Sequence, residues 1–138
     1  MTETITGRCL CGAVSYTCTA VPIMMGHCHC DDCRRVSGSG HCSHILVPED
    51  SVAVTGELRA YALTADSGNR VERLFCPTCG SGVFGRSTGM PGMMTLRAST
   101  LDDLEFFRPQ MHVFTGRAAS WDKPDESLPT FEAMPPGM

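Results

Sequence analysis

The chain has 138 residues, a formal net charge of −4 and nine cysteines. Its length suits one domain that buries roughly two-thirds of the surface of its unfolded chain, so a core can form without cross-links. The acidic balance argues against nucleic acid or an anionic membrane as the main partner, and no apolar stretch is long enough to span a bilayer.

The amino terminus and the cysteine count indicate the compartment. The first residues, MTETITGRCLCG, lack the basic and apolar regions of a secretory signal. We therefore expect a cytoplasmic protein, in which thiols stay reduced. An odd number of cysteines also fits poorly with a closed set of disulfides. We expect one domain over residues 1–138, with its core at about 7–121 and an irregular, proline-rich tail at 122–138.

Short segments separated by glycines predict a mainly β fold with few helices. The predicted strands, in chain order, are 13–20, 42–47, 51–55, 58–63, 71–75, 82–85, 93–98 and 111–115. Alternation is clear in the fifth, where Val71, Arg73 and Phe75 share one face. Helical patterns are confined to 31–36 and 101–104.

Two cysteine pairs lie in turns that close on glycine. Cys9 and Cys11 belong to CLCG at 9–12, and Cys76 and Cys79 belong to CPTCG at 76–80. A tight turn of this kind directs two sulfurs toward one zinc ion, and the glycine permits the backbone conformation that follows. Together the pairs supply four thiolates, which predicts a closed structural zinc site. The alternative for CPTCG is a redox motif, but such a motif opens a helix, whereas GSGVFG predicts a turn and a strand.

The segment GHCHCDDCRR at 26–35 crowds three further thiols into six residues. In an extended chain Cys28 and Cys30 point to one side and His29 to the other, and a turn through two aspartates returns Cys33 to the first side. Three thiolates leave one position of a tetrahedral zinc open, as in catalytic sites. One alternative is a chance cluster in which Cys28 or Cys30 pairs with a distant cysteine. Another is a second structural site whose fourth ligand is one of the histidines His27, His29, His41 and His44.

The chemistry of such a site favours a sulfur ligand. A zinc held by three thiolates is soft, and an incoming thiol would lose its proton there. Arg34 and Arg35 could then hold a carboxylate of the same ligand, or they are simply solvated on a short helix. With His29, these arginines are our candidate substrate-binding residues. Proton transfer is open among His29, Asp31 and Asp32, so no catalytic residue is assigned.

The remaining features predict structural roles. Cys18 is expected to be a buried thiol, Cys42 receives no role, and GMPGMM at 89–94 predicts a mobile loop with ends that face the core. Three apolar residues are expected to pin the tail to the body: Trp121, Leu128 and Phe131.

Five segments in order carry a family resemblance: GRCLCGAVSY, HCHCDDCRRVSGS, RLFCPTCGSGVF, STLDD and MHVFTGRAASWDK. From about residue 7 to 131 the chain resembles the glutathione-dependent formaldehyde-activating enzymes, a family that includes proteins similar to centromere protein V. The resemblance implies a β-tent of small coiled antiparallel sheets and glutathione as co-substrate. It also implies two zinc ions, a structural one on Cys9, Cys11, Cys76 and Cys79 and an active-site one on Cys28, Cys30 and Cys33.

These observations support a zinc-dependent carbon–sulfur lyase that forms or cleaves an adduct between a small thiol and an aldehyde, such as S-hydroxymethylglutathione. The main alternative is a non-enzymatic zinc module that binds a partner or ligand, because zinc knuckles are mostly scaffolding. A weaker alternative is a cysteine redox enzyme without zinc.

Overall fold

The computed structural model describes residues 4–136, and within them the chain is mainly β, as expected. The strands are β1 (Ile5–Arg8), β2 (Ser15–Cys18), β3 (Met24–Cys28), β4 (Cys42–Pro48), β5 (Val52–Thr55), β6 (Arg59–Thr64), β7 (Arg70–Phe75), β8 (Gly82–Ser87), β9 (Met93–Arg97) and β10 (Met111–Val113). The helix α1 spans Asp31–Ser37, and 3₁₀ turns span Glu49–Ser51, Ala98–Thr100, Leu104–Phe106 and Thr115–Arg117.

The strands form two sheets. The smaller has the order β1-β2-β5, and the larger has the order β10-β3-β4-β9-β8-β7-β6. Paired strands are antiparallel, except that β10 runs parallel to β3. The main core draws on both sheets, with Ile5 and Val14 packed in one cluster with Ile45, Phe84 and Leu96. A smaller cluster surrounds Cys28, Cys33, Cys42 and Val113.

Two observed strands, β1 and β3, were not predicted, and each contains a glycine that weakens the strand pattern. A Cβ at Gly7 of β1 would collide with the Tyr16 hydroxyl on β2. A Cβ at Gly26 of β3 would lie 3.0 Å from the carbonyl oxygen of Met111 on β10. The glycines that hide these strands in the sequence therefore permit close approach of the neighbouring strand.

The predicted helix at 31–36 is confirmed, with one more residue. Cys30 precedes its first turn and accepts a hydrogen bond from the Cys33 N–H at 3.3 Å. Gly38 ends it in the left-handed conformation, with φ of 71°. The second predicted helix, at 101–104, lies three residues later as the 3₁₀ turn Leu104–Phe106. It starts there because the Asp103 carboxylate accepts the Glu105 N–H at 3.1 Å.

The segment after Ser120 forms no helix or strand up to residue 136. It is held by backbone hydrogen bonds, since the His112 N–H donates to the Pro129 carbonyl and the Phe131 N–H donates to the His112 carbonyl, both at 2.9 Å. Phe131 and Met134 pack against the smaller cluster. The prediction that Trp121 pins this segment is wrong, because its side chain is 72% exposed. The domain bounds stay a prediction.

Candidate metal centres and substrate cavity

The first cysteine cluster joins the two sheets. Cys9 and Cys11 follow β1 of the smaller sheet, whereas Cys76 and Cys79 lie between β7 and β8 of the larger one. Their four sulfurs all lie within 4.8 Å of one another. Each pair sits in a turn closed by glycine, at Gly12 and Gly80, with φ of 82° and 80°.

The geometry of this cluster fits zinc. The Sγ–Sγ distances are 3.7 Å between Cys9 and Cys11 and 3.8 Å between Cys11 and Cys76. Zn–S bonds of about 2.3 Å in a tetrahedron place sulfurs about 3.8 Å apart. Hydrogen bonds with the Ser81 hydroxyl and backbone lower the pKa of Cys79 to about 5, which favours the thiolate that a metal requires.

The second cluster lies where β3 meets α1. Cys28 is the last residue of β3, Cys30 caps α1 and Cys33 lies in its first turn. Their sulfurs also lie within 4.8 Å of one another. Strand alternation turns His29, between the first two, away from the sulfurs, as predicted. The sequence therefore brings three thiols to one point from a single short segment.

Charge in this second cluster concentrates on Cys33. Hydrogen bonds from Cys28 and Cys30 lower the pKa of Cys33 to about 5, while the hydrogen bond with Cys30 raises the pKa of Cys28. Both terminal nitrogens of Arg73 lie 3.9 Å from the Cys33 sulfur. Burial opposes the charge of Arg73, but the Cys33 thiolate outweighs it and raises the pKa of the guanidinium.

Two other side chains approach the second cluster. His44 Nε2 lies 3.5 Å from the Cys33 sulfur, and Cys42 donates its S–H to the Cys33 carbonyl at 3.2 Å. These two form a separate possible ligand group with Cys33, distinct from the group of three cysteines. Cys42, which the sequence left without a role, thus supports the backbone of α1. Cys18 is a buried thiol in the main core, as predicted.

A cavity of about 230 Å³ opens beside the second cluster, with Cys28, Cys30 and Cys33 in its wall. Most of the wall is apolar, and it includes the five methionines Met24, Met90, Met93, Met94 and Met134. Val71 and Arg73, which share a face of β7, also line it. The expectation of a mobile methionine loop missed this wall. The sequence signal that could have revealed this wall is Arg73, a charged residue that shares a face of its strand with the apolar Val71.

Residues 4–117 match the sequence profile of the family described as glutathione-dependent formaldehyde-activating enzyme. The chain belongs to this family. A crystal structure of a Rhodobacter sphaeroides protein is similar over 70% of this chain and 87% of its own, with 22% identity and a TM-score of 0.58, which supports the fold. No curated protein matches the chain. In residues 4–136 no helix is long and apolar enough to cross a membrane.

In this member of the glutathione-dependent formaldehyde-activating family, the three candidate substrate-binding residues lie outside the cavity wall. Arg34 pairs with the Asp31 carboxylate at 3.0 Å, and Arg35 is exposed. His29 is only 1% exposed and points into a histidine cluster. The described part of the wall contains Arg73 and Arg86 as its cations. A role for His29, Arg34 and Arg35 in substrate binding stays a prediction.

The histidine cluster lies on the other side of the segment from Cys28 to Cys30. The Asp125 N–H donates to His112 Nε2 at 3.2 Å, so neutral His112 carries its proton on Nδ1 and donates to His29 Nε2 at 3.0 Å. His29 then carries its own proton on Nδ1, 3.9 Å from the Asp122 carboxylate, which accepts a 2.5 Å hydrogen bond from His41. Burial lowers the pKa of His29 and of His112, consistent with neutral rings.

This histidine cluster supports the second cysteine cluster by holding the backbone next to it. It fixes the ring of His29, and therefore the backbone that carries the two cysteines on either side. It also ties β10 and the segments before and after α1 to the tail, because His29, His41 and His112 contact Asp122 or Asp125 beyond the last 3₁₀ turn. The ring of His27 also stacks on that of His112, with centroids 4.8 Å apart. Sequence reasoning missed the cluster because its members are spread from His27 to Asp125.

Proposed function

We propose that the chain is a zinc-dependent carbon–sulfur lyase that joins glutathione to an aldehyde, or cleaves that adduct, in the cytoplasm. One observation carries this proposal. Three thiols meet at one point on the wall of an apolar cavity, whereas four thiols meet at a separate point between the two sheets. A zinc ion held by four protein thiolates is typical of structural sites, whereas a zinc ion held by three protein ligands beside a cavity is typical of catalytic sites.

The ligands available in each cysteine cluster suggest a different role for each of two zinc ions. Cys9, Cys11, Cys76 and Cys79 would hold a structural zinc, and Cys28, Cys30 and Cys33 would hold a second one with a position left for substrate. When bound there, zinc supplies a Lewis-acidic centre that favours the ionised form of a substrate thiol. Thiolate ligands fit this assignment because hydrogen bonds from Cys28 and Cys30 lower the pKa of Cys33.

The reaction needs no oxidant or reductant. In the forward direction the thiol loses its proton, sulfur forms a bond with the carbonyl carbon, and the carbonyl oxygen gains the proton. The reverse reaction breaks the carbon–sulfur bond and returns the proton to sulfur. The chain must therefore stabilise negative charge on oxygen and provide a group that carries the proton.

We assign the stabilisation of that oxygen to Arg73. Its guanidinium lines the cavity beside Cys33, and its buried Nε has no hydrogen-bond partner among the described residues. The terminal nitrogens of Arg73, 3.9 Å from the Cys33 sulfur, are the donors that a substrate oxygen beside that sulfur would meet. Arg86, the other cation in the wall, is already paired with Glu49 at 2.7 Å.

Of the three candidate proton carriers, Asp32 lines the cavity. His29 is turned into the histidine cluster, and Asp31 accepts hydrogen bonds from Arg34 and Arg117. We therefore assign proton transfer to Asp32. The carboxylate is exposed and can exchange its proton with solvent.

The test is the rate of S-hydroxymethylglutathione formation by the zinc-loaded protein, compared with the spontaneous rate. We expect the wild type to exceed the spontaneous rate at least tenfold and Cys30→Ser to match it. Cys18→Ser is the matched control, because this buried thiol lies in the main core, and it should keep the wild-type rate. A wild type that binds zinc but gives the spontaneous rate with formaldehyde and with longer aldehydes alike would favour the non-enzymatic zinc module.

A further inference from the structure

The cavity beside the second cysteine cluster is much larger than formaldehyde requires. A formaldehyde adduct adds one carbon and one oxygen to the thiol, a volume of the order of one water molecule, about 30 Å³. The cavity has a volume of about 230 Å³. Most of this space would stay empty around a hydroxymethyl group.

The wall is also the wrong kind of surface for glutathione. Glutathione carries two carboxylates, an ammonium group and two amides, and burying such groups without partners is unfavourable. Besides the methionines, the wall contains Leu46, Val71, Val113 and Phe114. Since Arg86 is paired with Glu49, Arg73 is the one cation of this wall without a carboxylate partner among the described residues.

The apolar lining adapts its shape. Methionine is unbranched, flexible and polarisable, so a wall of five methionines can close around apolar groups of different outlines. These methionines come from β3, from β9 and the turn before it, and from the tail. The wall therefore combines methionines from three separate parts of the chain.

Phe114 adds a strained element to the same wall. Its φ of 56° and ψ of 37° lie in the left-handed region, which is rare for an aromatic residue. The tail holds it there, since the Phe114 N–H donates to the Ala133 carbonyl at 3.2 Å. Such strain persists where surrounding structure enforces it and is concentrated at ligand sites.

We propose that the carbonyl substrate carries an apolar aliphatic or aryl group, which binds among these methionines while its carbonyl carbon faces Cys28, Cys30 and Cys33. This inference rests on the proposed function and names its substrate class. Glutathione then lies toward the cavity mouth, where its polar groups stay in water.

The experiment compares formaldehyde, acetaldehyde, butanal and hexanal with glutathione and the zinc-loaded protein. Each buried methylene contributes about 0.8 kcal/mol, or about fourfold in kcat/KM. We expect kcat/KM, divided by the spontaneous rate constant of the same aldehyde, to rise along the series and to be at least tenfold higher for hexanal than for formaldehyde. A flat or falling series, with formaldehyde accelerated, would overturn this inference alone. No acceleration with any aldehyde would overturn the proposed function and this inference with it.

A matched pair of variants locates the effect. Met24 and Met25 are adjacent and half-buried in β3, but Met24 lines the cavity whereas Met25 packs against the main core. We expect Met24→Ser to lower the hexanal-to-formaldehyde ratio of kcat/KM about tenfold and Met25→Ser to leave that ratio unchanged. If Met24→Ser fails to fold, Met90→Ser, in the segment between β8 and β9, gives the same readout. Equal ratios in the lining variant and Met25→Ser would contradict the assignment.

Discussion

The two cysteine clusters both consist of thiols, but they differ in where those thiols lie in the chain and in what surrounds them. The first takes its thiols from segments 65 residues apart and lies where the two sheets meet. The second takes three thiols from one short segment and adjoins a cavity. From this difference we expect that a cluster drawn from distant segments constrains the fold, whereas a local cluster leaves the fold independent of its ion. Four predictions test this contrast.

The largest effect is expected from loss of the first cluster. Cys76→Ser should prevent stable folding, because structural zinc contributes on the order of 10 kcal/mol in zinc-finger peptides, comparable with the whole stability of a domain. Cys30→Ser should lower the melting temperature by only a few degrees. Circular dichroism melts of the zinc-loaded proteins measure both. Similar melting curves would contradict the division between the clusters.

The second prediction concerns metal removal. A mild chelator should take one equivalent of zinc quickly from the native wild type and leave the other until the protein unfolds. The reason is that an open coordination position admits a competing ligand, whereas four thiolates exclude it. Metal content after gel filtration gives the measurement. Equal resistance of both ions would instead support scaffolding at both clusters.

The third prediction addresses the cavity side of the second cluster. Arg73→Gln should lower kcat/KM for adduct formation about tenfold to a hundredfold, the range for a lost charge-assisted hydrogen bond. Arg70→Gln is the matched control, because Arg70 lies on the same strand but is exposed, and it should keep the rate. If the two variants behave alike, Arg73 does not stabilise the reacting oxygen.

The smallest effect is expected on the histidine side. Asp122→Asn weakens a hydrogen bond to His41 in a pair that is about one-quarter exposed, so the free energy of unfolding should fall by only about 1 kcal/mol. Denaturant melts measure this change, with Asp66→Asn as an exposed control. A loss of several kcal/mol would mean that the histidine cluster is part of the core.

How much of the structure could be predicted from the sequence depends on how far apart the interacting residues lie along the chain. Cysteine spacing at 9–11, 28–33 and 76–79 is local, so the turns that gather each group could be predicted. Arg73 and the methionines meet only after β3, β7, β9 and the tail have packed, which no local pattern encodes. The same holds for His29 and His112, which are 83 residues apart. The strands β1 and β3 were not predicted because each contains a glycine. That glycine is required by the close approach of a neighbouring strand, which the local sequence does not reveal.

The separation of Cys11 and Cys76 also has a consequence during synthesis. If the first cluster closes around zinc, the nascent amino-terminal turn must remain open until 65 further residues have been made. At about 5 to 20 residues per second this takes roughly 3 to 13 s. During that interval the exposed thiols of Cys9 and Cys11 are available to cellular zinc donors and to oxidants, and ribosomal pausing before Cys76 would prolong their exposure.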